Sequence, residues 1–166
     1  LGSRGLGDVY KRQAFNVRKI LSLENKFYFP VIKFLEIMPE IFPEFSFEIV
    51  DDEELEYNKF AETDIESKTI KIKNSVYQGA CSGSGMDRFT IVHEIGHFLM
   101  LSLCKLKFAR CTAKPKPYED PEWQADAFAG ELLVPHHLIK GTEDPKYIAK
   151  ICGVSLRAAK IQLKSY

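Results

Sequence analysis

Apolar positions along this chain recur at two periods, and the switch between them marks out its elements. Phe27–Met38 reads FYFPVIKFLEIM, with Pro30 near its start and Pro39 after its end, which predicts a short helix. Phe45–Ile49 alternates apolar and polar residues and predicts a strand. A second strand is expected over Ala61–Lys73, with Ile70 and Ile72 on one face, and Tyr57–Phe60 offers a further short one. Asp51–Glu56 is an acidic run that reads as a solvated loop, because it lacks the oxygen-ligand spacing of a cation site. The front half thus predicts a helix and a small antiparallel sheet.

The second half turns to the helical period. Gln78–Asp87 (QGACSGSGMD) is Gly/Ser-rich and reads as a loop, either a plain connection or the wall of a groove; no Gly-Lys-Ser/Thr follows to make a phosphate cradle. Asp87 is placed to cap a helix from Arg88 through Ile91, Val92, Ile95, Phe98 and Leu99 towards Leu103. That helix is apolar nearly all round, which implies burial. Ala113–Asp120 reads as a loop. Asp120-Pro121 then starts a helix that Pro135 ends, with Ala125, Phe128, Ala129 and Leu132 on its core face. Asp144-Pro145 opens a short helix closed by Gly153, and Ser155 caps a last one to Leu163. The expected fold class is α+β, a small antiparallel sheet on a helical core, with short C-terminal helices.

Composition adds bounds. The 166 residues suit one domain with a small appendage, divided here as 14–140 and 141–166, the second packing on the first. With 45% apolar, 12% aromatic and 28% charged residues the chain is globular. The 23 basic and 23 acidic residues balance, so net charge gives no support for nucleic-acid binding by the whole chain. Phe98–Leu103, the longest strongly apolar stretch, is too short to cross a bilayer, and no leader argues for secretion. Cys81, Cys104, Cys111 and Cys152 form no CxxC pair and read as mostly buried, reduced thiols of a cytoplasmic protein. Leu1–Gln13 shows no apolar face, and Asp8–Gln13 matches the translation of a transposase sequencing adapter. The segment is therefore set aside as an artefact, its other reading being a disordered terminus. Without it the chain carries 20 basic and 22 acidic residues, a net of −2.

The chemistry concentrates in His93-Glu94-Ile95-Gly96-His97, an HExxH sequence on the buried helix. Histidines four apart project from one helix face and can share a tetrahedral metal, while Glu94 lies beside it, free to accept a proton from water. Given 4 His and 15 Glu in 166 residues, chance supplies roughly 0.01 such matches. Two histidines and a glutamate buried without a metal would also be costly to desolvate. A catalytic zinc takes a third protein ligand. Met100 and Leu103 stand where an HExxHxxGxxH motif has Gly and His. His136 and His137 follow Pro135 and are poorly placed. Among the downstream carboxylates only Glu122 and Asp126 form an i, i+4 pair on one helix face. One could ligate while the other holds an imidazole by its second nitrogen; the plainer reading is an exposed helix face. Glu131 reads as a solvated residue, and Tyr118 as a surface tyrosine rather than an oxyanion donor.

Arg88–His97 (RFTIVHEIGH) followed by Glu122–Pro135 (EWQADAFAGELLVP) resembles the ImmA/IrrE family of metallopeptidases, whose pattern couples an RFTxxHExGH helix to an ExxANxFAxxLLxP helix. The resemblance implies a zincin-like core, with His93 and His97 as zinc ligands, Glu94 as general base, Glu122 as third ligand and Asp126 behind the site. Asp126 departs from the commoner Asn of the pattern. It further implies a cytoplasmic zinc endopeptidase that cleaves a protein partner, a helix-turn-helix transcriptional repressor. The alternative is a regulatory module that keeps the metal site and acts by contact with a repressor or DNA. Pro145–Tyr166 carries Lys146, Lys150, Arg157, Lys160 and Lys164 and no acid, with some helix-turn-helix cadence. It is read as two helices packed on the domain with a solvated basic face, so neither direct nucleic-acid binding nor a membrane is expected.

Overall fold

The structure, a computed structural model, describes residues 3–108 and 120–165. The expected loop over 113–119, with Tyr118, lies outside them, as do Cys111 and the side chain of Cys104. The order is α1 (Ser3–Ile20), α2 (Val31–Ile41), β1 (Ser46–Val50), β2 (Ala61–Asp64), β3 (Thr69–Lys73), α3 (Asn74–Cys81), α4 (Gly85–Phe108), α5 (Pro121–Leu133), α6 (Pro145–Cys152) and α7 (Leu156–Lys164). This is an α+β fold. No described helix is long and apolar enough to cross a membrane.

The sheet is mixed rather than antiparallel. Its order is β1-β3-β2, with β3 parallel to β1 (Phe47 opposite Ile70) and antiparallel to β2 (Thr63 opposite Ile70). The stretch read as one strand is a hairpin. Asp64 Oδ1 accepts the backbone N–H groups of Glu66 and Ser67, an Asx turn that reverses the chain without glycine or proline. Residues 51–60 carry the chain past β3, so β3 becomes central and β2 an edge. Ile70 and Ile72 are fully buried beneath it. Tyr57–Phe60 forms a turn instead of a strand, pinned by Lys73 Nζ donating to Glu56 O at 3.0 Å.

Four helices depart from expectation. Helix α2 runs through Pro39, whose missing N–H costs one bond in the final turn. Helix α3 runs four residues into the expected Gly/Ser loop, through Cys81, and α4 starts at Gly85, so Ser84 rather than Asp87 accepts at its N-terminus, from Asp87 N. Helix α1 runs back through residues set aside as artefact or disorder. Its Tyr10, Ala14 and Arg18, spaced four apart, are buried, and Tyr10 meets Trp123 of α5 edge-on at 6.0 Å. Among the residues whose burial is described, Tyr10 is the one buried residue of that face before residue 14, and the partners that complete the stripe follow the segment set aside.

The caps of the last three helices match their sequence signals. Asp120 Oδ1 accepts from Glu122 N at 3.0 Å, Asp144 Oδ1 from Lys146 N, and Ser155 Oγ from Ala158 N, while Gly153 ends α6 at φ 65°. Helices α6 and α7 bury Ile148, Cys152, Ala159 and Leu163 in the common core, and their lysines face water.

Candidate metal centre

Helix α4 buries Ile91, Val92 and Ile95 completely, which fixes its rotation and turns His93 and His97 towards α5. Between the two helices stands Gly96. A Cβ there would lie 3.1 Å from the Phe128 ring and 3.4 Å from Ala125 Cα, so the absent side chain lets α5 approach this closely. That approach brings Glu122 and Asp126 over the histidines.

The donor atoms converge. His93 Nε2 and His97 Nε2 are 3.1 Å apart, and the two oxygens of Glu122 lie 2.9 Å from one each. Asp126 Oδ1 accepts from His93 Nδ1 at 2.7 Å. With that proton committed, His93 presents a bare nitrogen lone pair to a carboxylate oxygen and a second imidazole, three electron-rich atoms aimed at one point. A cation resolves the conflict. Donors around a tetrahedral zinc with bonds of about 2.0–2.1 Å sit about 3.3 Å apart, close to the spacings here, so the residues fit the metal. The acidic neighbours of His93 also favour its protonated form. Burial presses its pKa down, but the hydrogen bond and charge of Asp126, helped by Glu94 and Glu122, outweigh it and hold the pKa above the ordinary histidine value.

Glu94 joins His93 and His97 in one cluster of metal-binding residue types. Its carboxyl is held above the usual carboxylate range by burial, against the opposing pull of a Thr63 hydrogen bond and the two histidines. Thr63 is the residue the sequence did not announce. From the edge strand β2 its hydroxyl donates to Glu94 Oε2 and lies 3.2 Å from Glu94 O. A lone threonine 31 residues upstream carries no pattern; only the fold brings it in.

The other sequence candidates go elsewhere. His136 pairs with Glu131 and reaches Ser165 Oγ at 3.1 Å, and His137 contacts Glu24 O, so neither faces the centre. Glu131 is buried instead of solvated, because α7 covers that side of α5 and Gln162 Nε2 donates to it at 2.8 Å. Among the described residues, none of the Gly/Ser segment lines the groove beside the centre. Gly85 lies where a Cβ would come within 2.6 Å of the Val154–Ser155 backbone, so it seats α4 on the α6–α7 turn. Of the cysteines described, Cys152 is buried and Cys81 is exposed.

A groove of about 770 Å³ opens beside the centre, between β2 and the α4–α5 pair, lined in part by Phe60, Thr63, Glu94, His97 and Glu122. Residues 52–164 match the family model of the IrrE N-terminal-like domain, peptidase M78. No curated protein and no solved structure matches the chain.

Proposed function

We propose, from the premise that the chain belongs to the IrrE N-terminal-like peptidase M78 family, that this metallopeptidase-like domain is a zinc-dependent endopeptidase cleaving a protein partner. The observation that carries the reading is the convergence of His93 Nε2, His97 Nε2 and the Glu122 carboxylate, with the Glu94 carboxyl alongside. His93, His97 and Glu122 would hold the ion. Bound zinc supplies a Lewis acid that acidifies water and polarises a carbonyl.

The chain's own residues do the rest. Asp126 keeps the His93 proton on Nδ1 and so leaves Nε2 free to ligate; as a carboxylate in place of the family's amide it makes that imidazole more basic. Glu94 acts as general base, taking the proton from the attacking water and returning it to the leaving amine. Burial holds its carboxyl above the ordinary carboxylate value. Thr63 holds one Glu94 oxygen from the sheet side and leaves the other for the water. Among the described residues β2 is an edge of the sheet, and it contributes Ala61, Glu62 and Thr63 to the groove, where an extended peptide can add as a further strand with its scissile bond beside Glu94.

The partner we propose is a helix-turn-helix repressor and the compartment the cytoplasm, both resting on the family likeness of the α4 and α5 sequences. Glu94→Gln tests the reading. It should retain zinc and lose cleavage of the cognate repressor by at least about a hundredfold, the scale of a general base. Cleavage at the wild-type rate by that variant refutes the role of Glu94.

A further inference from the structure

We infer that the exposed faces of α6 and α7 form a contact surface for the phosphate backbone of duplex DNA. The charge of the chain is segregated. Residues 145–166 hold five of the 23 basic residues and none of the 23 acidic ones, which leaves 18 basic against 23 acidic in the rest. The balanced total conceals a basic patch.

The fold turns all five cations outwards. Helix α7 buries Ala159, Gln162 and Leu163 and leaves Arg157, Lys160 and Lys164 exposed, three or four residues apart on the opposite face. Helix α6 buries Ile148 and Cys152 and exposes Lys146 and Lys150, one turn apart. Among the described residues, none of the five forms an ion pair with a carboxylate. The two helices join through Gly153, Val154 and Ser155, with Gly153 at φ 65° and Val154 buried beneath the turn. A short glycine-containing connection of this kind is that of a helix-turn-helix, whose second helix lies along the nucleic acid. Here the second helix, α7, carries the longer stripe of cations. A membrane surface needs a broad apolar face beside the charges, and α7 exposes only Leu156 and Ile161. The DNA-reading face of a repressor is itself positive, so this surface fits the nucleic acid rather than that face. The inference stands apart from the peptidase reading.

Fluorescence anisotropy of the zinc-loaded full chain with a labelled duplex of arbitrary sequence tests it. Binding should weaken by about a hundredfold between about 50 and 200 mM salt, the response of about four neutralised phosphates. The triple variant Arg157→Gln, Lys160→Gln, Lys164→Gln should keep its zinc and its unfolding temperature. It should bind at least about tenfold more weakly at the lower salt, with the salt response cut below about tenfold. Should that variant unfold, Lys146→Gln with Lys150→Gln on α6 should give the same direction of change. Glu94→Gln should bind the duplex as the wild type does, so a failure of cleavage and a failure of binding are told apart. No binding by the folded wild type at the lower salt, a folded charge variant that binds as tightly as the wild type, or equal affinity for polyglutamate or for vesicles of an anionic phospholipid overturns the inference.

Discussion

Two side chains at the centre are each held by a neighbour outside the proposed donor set. Asp126 fixes the His93 ring, and Thr63 fixes Glu94. The spacing of His93, Glu94 and His97 was legible because four residues are one helical turn, and Glu122 and Asp126 repeat that spacing on the partner helix. Thr63 was not legible, because its role exists only once β2 lies against α4. It can be isolated by experiment. Thr63→Val keeps the shape and removes the donor, and should lower kcat by about tenfold to a hundredfold, with KM and zinc content little changed. Thr63→Ser, which restores a hydroxyl, should recover most of the loss. A valine variant with wild-type kcat would show that Glu94 needs no tether.

At the scale of elements, the centre depends on how closely α4 and α5 approach. Gly96 allows that approach, and Phe128 and Ala125 are what an added Cβ would meet. Gly96→Val should leave the helices formed, move Glu122 outwards, and weaken zinc binding by about tenfold to a hundredfold in a chelator competition. Unchanged affinity would mean that Glu122 does not depend on this contact. The helices were readable where local chemistry decides, as in the Asp120-Pro121, Asp144-Pro145 and Ser155 starts. The sheet was misread where it does not. The Ile65–Lys68 turn has no Gly or Pro, and Lys68 takes φ 54° with Asp64 organising the bend, so two strands looked like one. Parallel pairing of β1 with β3 is a long-range choice that no alternation of residues encodes. Helix α3 was hidden by Gly79, which lowers local helix propensity.

Across the whole molecule, two buried arginines tie distant segments together. Arg88, at the start of α4, donates to Gly153 O, Cys152 O and Phe29 O and to the Tyr28 hydroxyl, joining the active-site helix to the end of α6 and to the segment before α2. Arg18 donates to Leu132 O at the end of α5 and to Phe27 O. Both meet helix C-termini, where carbonyl dipoles favour positive charge, and neither needs a carboxylate. Burial still lowers the pKa of both, Arg18 to about 10. Arg88→Met should therefore destabilise the fold by about 3 kcal/mol or more in urea denaturation, because two buried carbonyls and a part-buried one lose their donor. A loss below about 1 kcal/mol would assign Arg88 no such role. The sequence marked Arg88 only as part of a family-like string; its partners, up to 65 residues away, are set by the tertiary fold. The account as a whole turns on one metal between α4 and α5. Elemental mass spectrometry of the purified chain and of Glu122→Ala tests it most directly. About one zinc per wild-type chain and a marked loss in the variant are predicted for a three-ligand site; a folded wild type without zinc, or a variant that keeps its full complement, would contradict it.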